Sequence, residues 1–445
     1  MIVLYLANIT CSNSYNLLMK RTFSLLFLIF FLFIYTSCKS KSARVQSSKN
    51  DSGYVAPVPG NITEQEASRY KNEIEYFFNK HLMPRGFNGA ILIAKKGNII
   101  FEKYNGFEDI RKKYKTIDEH SKFHLASLSK TFTAMAVLKL QEQGKLNIND
   151  TLNKYFPAFP YPNITVKMLL THRSGMPNYV YFMEKLGWDK HQYLKNEDVL
   201  DYLIKFKPPY TSIPGKHFTY CNTNYILLSL IIEKASEERY ADYLQKTFFT
   251  PLQMNDTYVF SLADTLTAMP SYNVKGIQER LTYLDGGTGD KNIYSTVRDI
   301  LKWDQALYSG QLFHQSTLDS AFTPYSNEKP GIKNYGLGWR MNIYPNGKKI
   351  VFHTGWWHGN NSILIRLMAD SATIIVVANK YNRGVYETKK LANIFQNYFE
   401  NGDEQDENVS VGSEIGEQEQ NPVQKNNSLV KQPSRKRAVH KSRRK

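Results

Sequence analysis

Strand-like apolar runs at the two ends of a largely helical sequence predict an α+β protein. One sheet is built from both ends of the chain, with a mostly helical region beside it. Near the start, residues 89–94 (Gly-Ala-Ile-Leu-Ile-Ala) and 99–101 (Ile-Ile-Phe) flank Lys96-Gly97-Asn98, the pattern of a β-hairpin. Far downstream lie three more runs, at 350–353, 363–366 and 374–378. Helical segments dominate between the two groups.

The elements follow in order. Residues 67–82 have helical periodicity, so the folded part is expected to begin near Thr63. Residues 128–143 lack Gly and Pro and place Phe132, Met135, Ala136 and Leu140 near one face, with Gly144 as a stop. A second apolar helix is expected over 225–232, and a final one over 389–399.

The 445 residues suffice for a sizeable core, as one large or two intergrown domains. The formal charge is +17. The stretch from Asn401 onward carries nine basic and seven acidic residues, and the first 60 carry six and one, so most of the excess lies in the body between. A basic body can attract anionic partners or simply be well solvated. No zinc-finger, RNA-motif or helix-turn-helix pattern is present, so no nucleic-acid partner is expected. The three cysteines, Cys11, Cys38 and Cys221, form no paired framework.

Lys20-Arg21 followed by about a dozen apolar residues reads as a secretory signal. It ends in Tyr35-Thr36-Ser37-Cys38, which resembles a bacterial lipobox with Cys38 as the lipidated residue. Tyr35 departs from the usual aliphatic residue there, so cleavage without lipidation stays open, as does an uncleaved anchor. Met19 is a plausible true start. Residues 1–38 are thus read as signal, 39–65 as a tether, 66–400 as the folded domain, and 401–445 as a disordered tail, acidic then basic.

Three elements carry chemistry. The first is Ser127-Leu128-Ser129-Lys130 at the start of a helix, which brings Lys130 back beside Ser127. A Lys amine in that place can take a hydroxyl proton, although Ser127 as a helix cap and Lys130 as a surface charge would look the same. The second is Tyr220-Cys221-Asn222. A phenol near a lysine can share the base role, and an amide can bond a substrate amide, or Asn222 can cap a helix. The third is His353-Thr354-Gly355, where Gly355 permits close approach by a ligand and the Trp356 amide can join that of Ser127 around an oxyanion.

Ser-x-x-Lys, Tyr-x-Asn and His-Thr-Gly in this order resemble the penicillin-binding and class C β-lactamase-related serine hydrolases. The flanks agree: Phe123-His124-Leu125-Ala126-Ser127, Leu169-Leu170-Thr171-His172-Arg173-Ser174-Gly175-Met176-Pro177, Pro214-Gly215-Lys216-His217-Phe218-Thr219-Tyr220, Ile293-Tyr294-Ser295-Thr296 and Tyr335-Gly336-Leu337-Gly338-Trp339. The similarity covers roughly 70–400. It implies a β-lactamase/DD-peptidase-like fold, an antiparallel sheet flanked by helices with an adjoining all-helical region and the active site between them. It also implies acylation of Ser127, proton transfer by Lys130 and Tyr220, and substrate orientation by Asn222, His353, Thr354 and Gly355, with no metal or organic cofactor.

The third motif starts with His where class C β-lactamases usually have Lys, which favours the D-amino-acid peptidases and esterases of the family. An unperturbed His353 would make activity respond to pH near 6–7. By the same resemblance Arg340, placed as in DD-carboxypeptidase relatives, holds a terminal carboxylate by forked hydrogen bonds, or else is a strand-edge surface charge. Trp356, Trp357 and His358 are expected to wall the cleft. His172 and Ser174 are read as structural, and Cys221 as filler. The expected partner is a small peptide or ester, such as cell-wall peptide, met in the bacterial cell envelope by a membrane-anchored or periplasmic protein. A different class, a non-catalytic penicillin-binding sensor or scaffold, is opposed by the intact Ser127, Lys130 and Tyr220.

Overall fold

A computed structural model describes residues 54–398. The expected signal, the expected lipidation site Cys38 and the expected tail lie outside the described residues. Helix α1 (Glu64–Phe77) starts from Thr63, which caps it reciprocally with Glu66. It buries Tyr70, Ile74 and Phe77 at helical spacing. The expected helix to residue 82 changes character after Phe77, where Phe78–Leu82 winds as a π-helical turn.

The main sheet has seven antiparallel strands: β1 (Gly89–Lys95), β2 (Asn98–Asn105), β3 (Lys333–Tyr335), β4 (Arg340–Ile343), β5 (Lys349–Trp357), β6 (Asn360–Leu367) and β7 (Ala372–Ala378). Their order is β3-β4-β5-β6-β7-β1-β2, so the two ends of the domain meet where β1 pairs with β7. The β1–β2 turn puts Lys96 and Gly97 at φ of 49° and 80°, the positive pair that a two-residue hairpin needs.

Successive side chains of a strand face opposite ways, and the core divides accordingly. Leu92 of β1 and Ile375 and Val377 of β7 join the larger cluster with the helical region. Ile91, Ile93, Ile374 and Val376 join the outer cluster with α1. Both faces being covered explains the unbroken apolar runs in these strands.

Within the helical region α2 (Ser129–Glu142) buries eleven of its fourteen residues and so has no solvent face. It packs against α3 (Asn222–Ser236) and α4 (Val297–Ala306), where Phe132 stacks on Trp303 at 4.4 Å. The expected one-sided apolar face of α2 is therefore only part of a helix enclosed all round.

Two boundaries differ from expectation. Residues 54–63 of the expected tether lie on the domain: Gly60 N–H donates to Lys96 O at 2.8 Å, and Val55 exchanges two hydrogen bonds with Gln311. The expected last helix is a 3₁₀ helix, Thr388–Ile394. Its buried residues fall three apart, Thr388 with Leu391 and Lys389 with Ala392, which matches three residues per turn.

Candidate active site

The strand Phe123–His124 pairs with Ile293–Ser295, and the chain then turns sharply. Ala126 sits at φ +50°, a left-handed conformation that a residue with a side chain adopts only under constraint. One 3₁₀ turn, Ala126–Leu128, carries Ser127 and leads into α2. The Ala126 amide donates to His124 Nδ1 at 3.1 Å, and His124 Nε2 lies 2.9 Å from Asn292 Oδ1. Burial lowers the His124 pKa to about 4, so the ring is neutral, with its proton on Nε2.

Lys130, fully buried, donates from Nζ to Ser127 Oγ at 3.0 Å and to the Asp290 carbonyl at 2.7 Å. Its Nζ lies 5.1 Å from the Tyr220 ring centroid. The Tyr220 hydroxyl is buried and has no hydrogen-bond partner among the described residues. Asn222 is the first residue of α3, not its cap, and no hydrogen bond of its side chain to another described residue is formed. The cap position belongs to Cys221, whose thiol points to the Met176 and Pro177 carbonyls and is pushed up to about 11 by burial. Such a thiol is uncharged and acts as packing.

His172 and Ser174, expected to be structural, are buried and hydrogen-bonded to their neighbours. Ser174 Oγ donates to Asn224 Oδ1 at 2.6 Å, while the Asn224 amide and the Cys221 N–H meet His172 Nδ1, both at 3.2 Å. The His172 ring then supports Tyr220 at 4.3 Å between centroids.

Gly355 is explained by a contact within the chain. A Cβ there would lie 2.1 Å from the Leu125 carbonyl and 3.1 Å from the Ala126 Cβ, so β5 touches the turn that carries Ser127. Beyond Phe352, β5 has no ladder partner in β4, and residues 353–357 present an open edge on that side. The backbones of Ser127 and Trp356 therefore belong to adjoining segments. The Trp356 side chain does not wall the cleft: it packs on the outer cluster and edge-on to Tyr381 at 6.0 Å. Strand alternation sends Trp357 the other way, where its Nε1 donates to Asp285 at 2.6 Å.

His353 is also placed differently from expectation. Its ring is fully buried, with Nδ1 at 2.7 Å from the Thr354 carbonyl and Nε2 at 3.2 Å from the Tyr335 hydroxyl. Nδ1 thus carries the proton and Nε2 accepts from Tyr335. Burial, then the charges of Arg340 and Lys130, hold its pKa well below the usual histidine value. The expected response near pH 6–7 therefore does not come from His353. Thr354 is buried beside it.

Positive charge comes instead from Arg340, which is half-buried and not a surface residue. Its guanidinium lies 5.0 Å from the Tyr220 ring centroid. It borders a cavity of about 580 Å³ with His217, Phe218, Lys329, Lys333 and Tyr335.

Sequence reasoning missed the loop that precedes Ile293. Asp290, Lys291 and Tyr179 are buried together: Tyr179 O–H donates to Asp290 Oδ2 at 2.9 Å, and Lys291 Nζ lies 2.5 Å from the Tyr179 oxygen and 3.4 Å from Asp290. Two adjacent opposite charges directly before the recognised Ile293-Tyr294-Ser295-Thr296 segment were the available signal. Asp285 was missed as well. Burial alone would raise its pKa, but His358 and Lys291 bring it down to about 2.

This fold, with a lysine amine on a serine hydroxyl between the sheet and the helical region, defines a serine hydrolase of the penicillin-recognising type. Residues 80–398 match the Beta-lactamase family, and the chain belongs to that family. It is 33% identical over 317 residues to penicillin-binding protein 4* of Bacillus subtilis, covering 68% of this chain and 70% of the relative. It is 27% identical over 340 residues to protein flp of Staphylococcus aureus, spanning 72% of this chain but only 64% of that relative's length. The solved D-amino acid amidase of Ochrobactrum anthropi SV3 shares the fold, with a TM-score of 0.60 at 21% identity over 75% of this chain and 99% of that one.

Proposed function

We propose that the chain is an exported D-amino-acid peptidase of the cell envelope, working through an acyl-enzyme on Ser127. The observation that carries this is the 3.0 Å contact of Lys130 Nζ with Ser127 Oγ, beside a Tyr220 hydroxyl with no hydrogen-bond partner among the described residues. In this reading the Lys130 amine takes the Ser127 proton as Oγ attacks the substrate carbonyl carbon. The Ser127 and Trp356 amides hold the resulting oxyanion. Asn222 bonds the substrate amide. Tyr220 relays the proton to the departing amine as the C–N bond breaks, and water then cleaves the ester to restore Ser127. Arg340 receives the carboxylate of the leaving D-amino acid, and the adjoining cavity accommodates it.

The similarity to penicillin-binding protein 4* and the shared fold of the D-amino acid amidase support a peptide or amide substrate. The neutral, buried His353 weighs against a class C-type β-lactamase, because it supplies no cation at the third motif. Export and envelope location rest on Lys20-Arg21, the apolar run and Cys38.

The test is intact-mass analysis with a fluorophosphonate and, separately, a penicillin, comparing wild type with Ser127→Ala. Labelling lost in the variant, with lasting penicilloylation, is the expected result. Rapid penicillin turnover would restore the β-lactamase reading, and phosphonate labelling alone would indicate an esterase. No labelling of folded protein would indicate a scaffold.

A further inference from the structure

The Tyr220 hydroxyl has no hydrogen-bond partner among the described residues, and residues 211–220 contain neither helix nor strand. The place of this ring therefore depends on what holds the backbone leading to it. Residues 172–175 supply part of that support. Thr211 N–H donates to the Gly175 carbonyl and Thr219 N–H to the His172 carbonyl, both at 2.8 Å. Arg173, within the shared segment from Leu169 to Pro177, supplies the rest, and the acyl-transfer chemistry leaves it unused.

The Arg173 guanidinium joins three stretches of chain. It donates to the carbonyls of Gly215 at 2.9 Å, Lys216 at 2.9 Å and Tyr325 at 3.1 Å. The Gly215 N–H returns a bond to the Arg173 carbonyl at 2.8 Å. Arg173 Nη1 also meets Glu328 Oε2 at 2.7 Å, and the other Glu328 oxygen accepts from the Phe218 N–H at 2.6 Å. That N–H lies two residues before Tyr220. Burial alone would raise the Glu328 carboxyl, but Arg173 and the Phe218 N–H hold it below its ordinary value. Both side chains are mostly shielded, at 16% and 18% exposure, unlike the open surface pairs that contribute little. Glu328 belongs to the loop before β3, which runs along the cavity that Arg340 borders. One ion pair thus ties the segment carrying Tyr220 to the wall on the leaving-group side.

We propose that Arg173 and Glu328 are positioning residues that set Tyr220 for proton transfer to the departing amine. A planar guanidinium suits this task, because its forked donors reach carbonyls on two segments at once. Their contacts are with backbone and with each other, so they act through Tyr220. The inference rests on the acyl-transfer reading and adds a dependence on the leaving group. A clamp on the proton donor matters where the departing atom needs a proton, as an amine does and p-nitrophenolate does not.

The test compares N-acetyl-D-alanyl-D-alanine with N-acetyl-D-alanyl p-nitrophenyl ester, which share one acyl group, on the full chain. Glu328→Ala should lower kcat/KM about tenfold on the peptide and less than about twofold on the ester. Glu328→Gln, which can still accept from the Phe218 N–H, should recover most of the loss. In the Tyr220→Phe background Glu328→Ala should cost the peptide less than about twofold, because the group it positions is gone. Equal losses on both substrates, or an undiminished loss without the phenol, would leave the pair a structural role only and overturn the positioning role. The ring is also read without catalysis, by the 19F resonance of 3-fluorotyrosine introduced in place of Tyr220. That line should shift in Glu328→Ala and stay in place in Glu328→Gln. An unchanged line in Glu328→Ala overturns the clamp even where Ser127-dependent hydrolysis is intact. If the line responds but wild type cleaves neither substrate, the hydrolase reading falls and the clamp on Tyr220 stands.

Discussion

The backbone carbonyl of Asp290 accepts a hydrogen bond from Lys130 at 2.7 Å, while the Asp290 carboxylate pairs with Lys291 at 3.4 Å. One residue therefore connects the proposed base to a charge pair that solvent hardly reaches. Removing Lys291 leaves a buried carboxylate with Tyr179 as its remaining side-chain partner among the described residues. Lys291→Met is expected to destabilise the protein by about 3 kcal/mol, whereas Asp290→Asn with Lys291→Met costs clearly less. Urea denaturation of the four members of the cycle measures this, and equal losses in the single and double variants would contradict it. Phosphonate labelling should slow in the single variant as the Asp290 carbonyl shifts.

Tyr220→Phe separates chemistry from packing. The ring still lies on His172 and below Arg340, and the hydroxyl that is lost has no partner among the described residues. Melting temperature should hold or rise, because no protein hydrogen bond is broken. If the phenol relays a proton, acylation should slow by about 100-fold. Stopped-flow acylation beside a thermal melt checks both; a lower melting temperature with normal acylation would reverse the assignment.

Three buried imidazoles make stability depend on pH. Burial, joined at His172 and His353 by nearby positive charge, depresses the folded-state pKa of His124, His172 and His353. The unfolded chain binds protons first, so their stabilising contribution is complete above the unfolded value of about 6.5 and is lost as pH falls below it. For His124 that loss runs down to about pH 4. Between pH 7.5 and 5.5 each ring should cost the protein roughly 1 kcal/mol. Denaturant midpoints across that interval provide the check, and a flat response would mean that these rings take up protons in the folded state as they do in the unfolded one.

Arg340→Gln should act on leaving groups and on His353 at once. Peptides ending in a free D-residue carboxylate are expected to lose at least about tenfold in kcat/KM, while their carboxamides lose little. Removing the guanidinium also removes one of the charges that hold His353 down, so the imidazole pKa should rise. NMR titration of the His353 ring reads this directly. Equal losses on both peptides would deny Arg340 a role at the carboxylate.

The sequence was most legible where local pattern and global fold agree. The turn residues Lys96-Gly97-Asn98 between apolar runs located the hairpin, whereas the Ser127 to Lys130 spacing alone read equally as a helix cap with a surface charge and gained its weight from the order of the three motifs. His353 was harder because a ring's charge depends on burial, and no local pattern shows that the rest of the chain closes over it. Trp356 and Trp357 are neighbours in sequence, but the register of β5 sends their rings to opposite layers. Asp290 and Tyr179 are more than a hundred positions apart, so their contact exists only once the helical region has assembled.

The pairing of Gly89 with Ala378 sets the order of events during synthesis. About 290 residues separate these partners. A chain emerging from its N-terminus first therefore exposes one edge of the opening hairpin until almost the whole domain is available. Long-range pairing of this kind is slow and leaves an adhesive strand unpaired in the interval. Truncations that end before Ala372 should consequently yield aggregation-prone chains, however intact the segment from Ser127 to Tyr220.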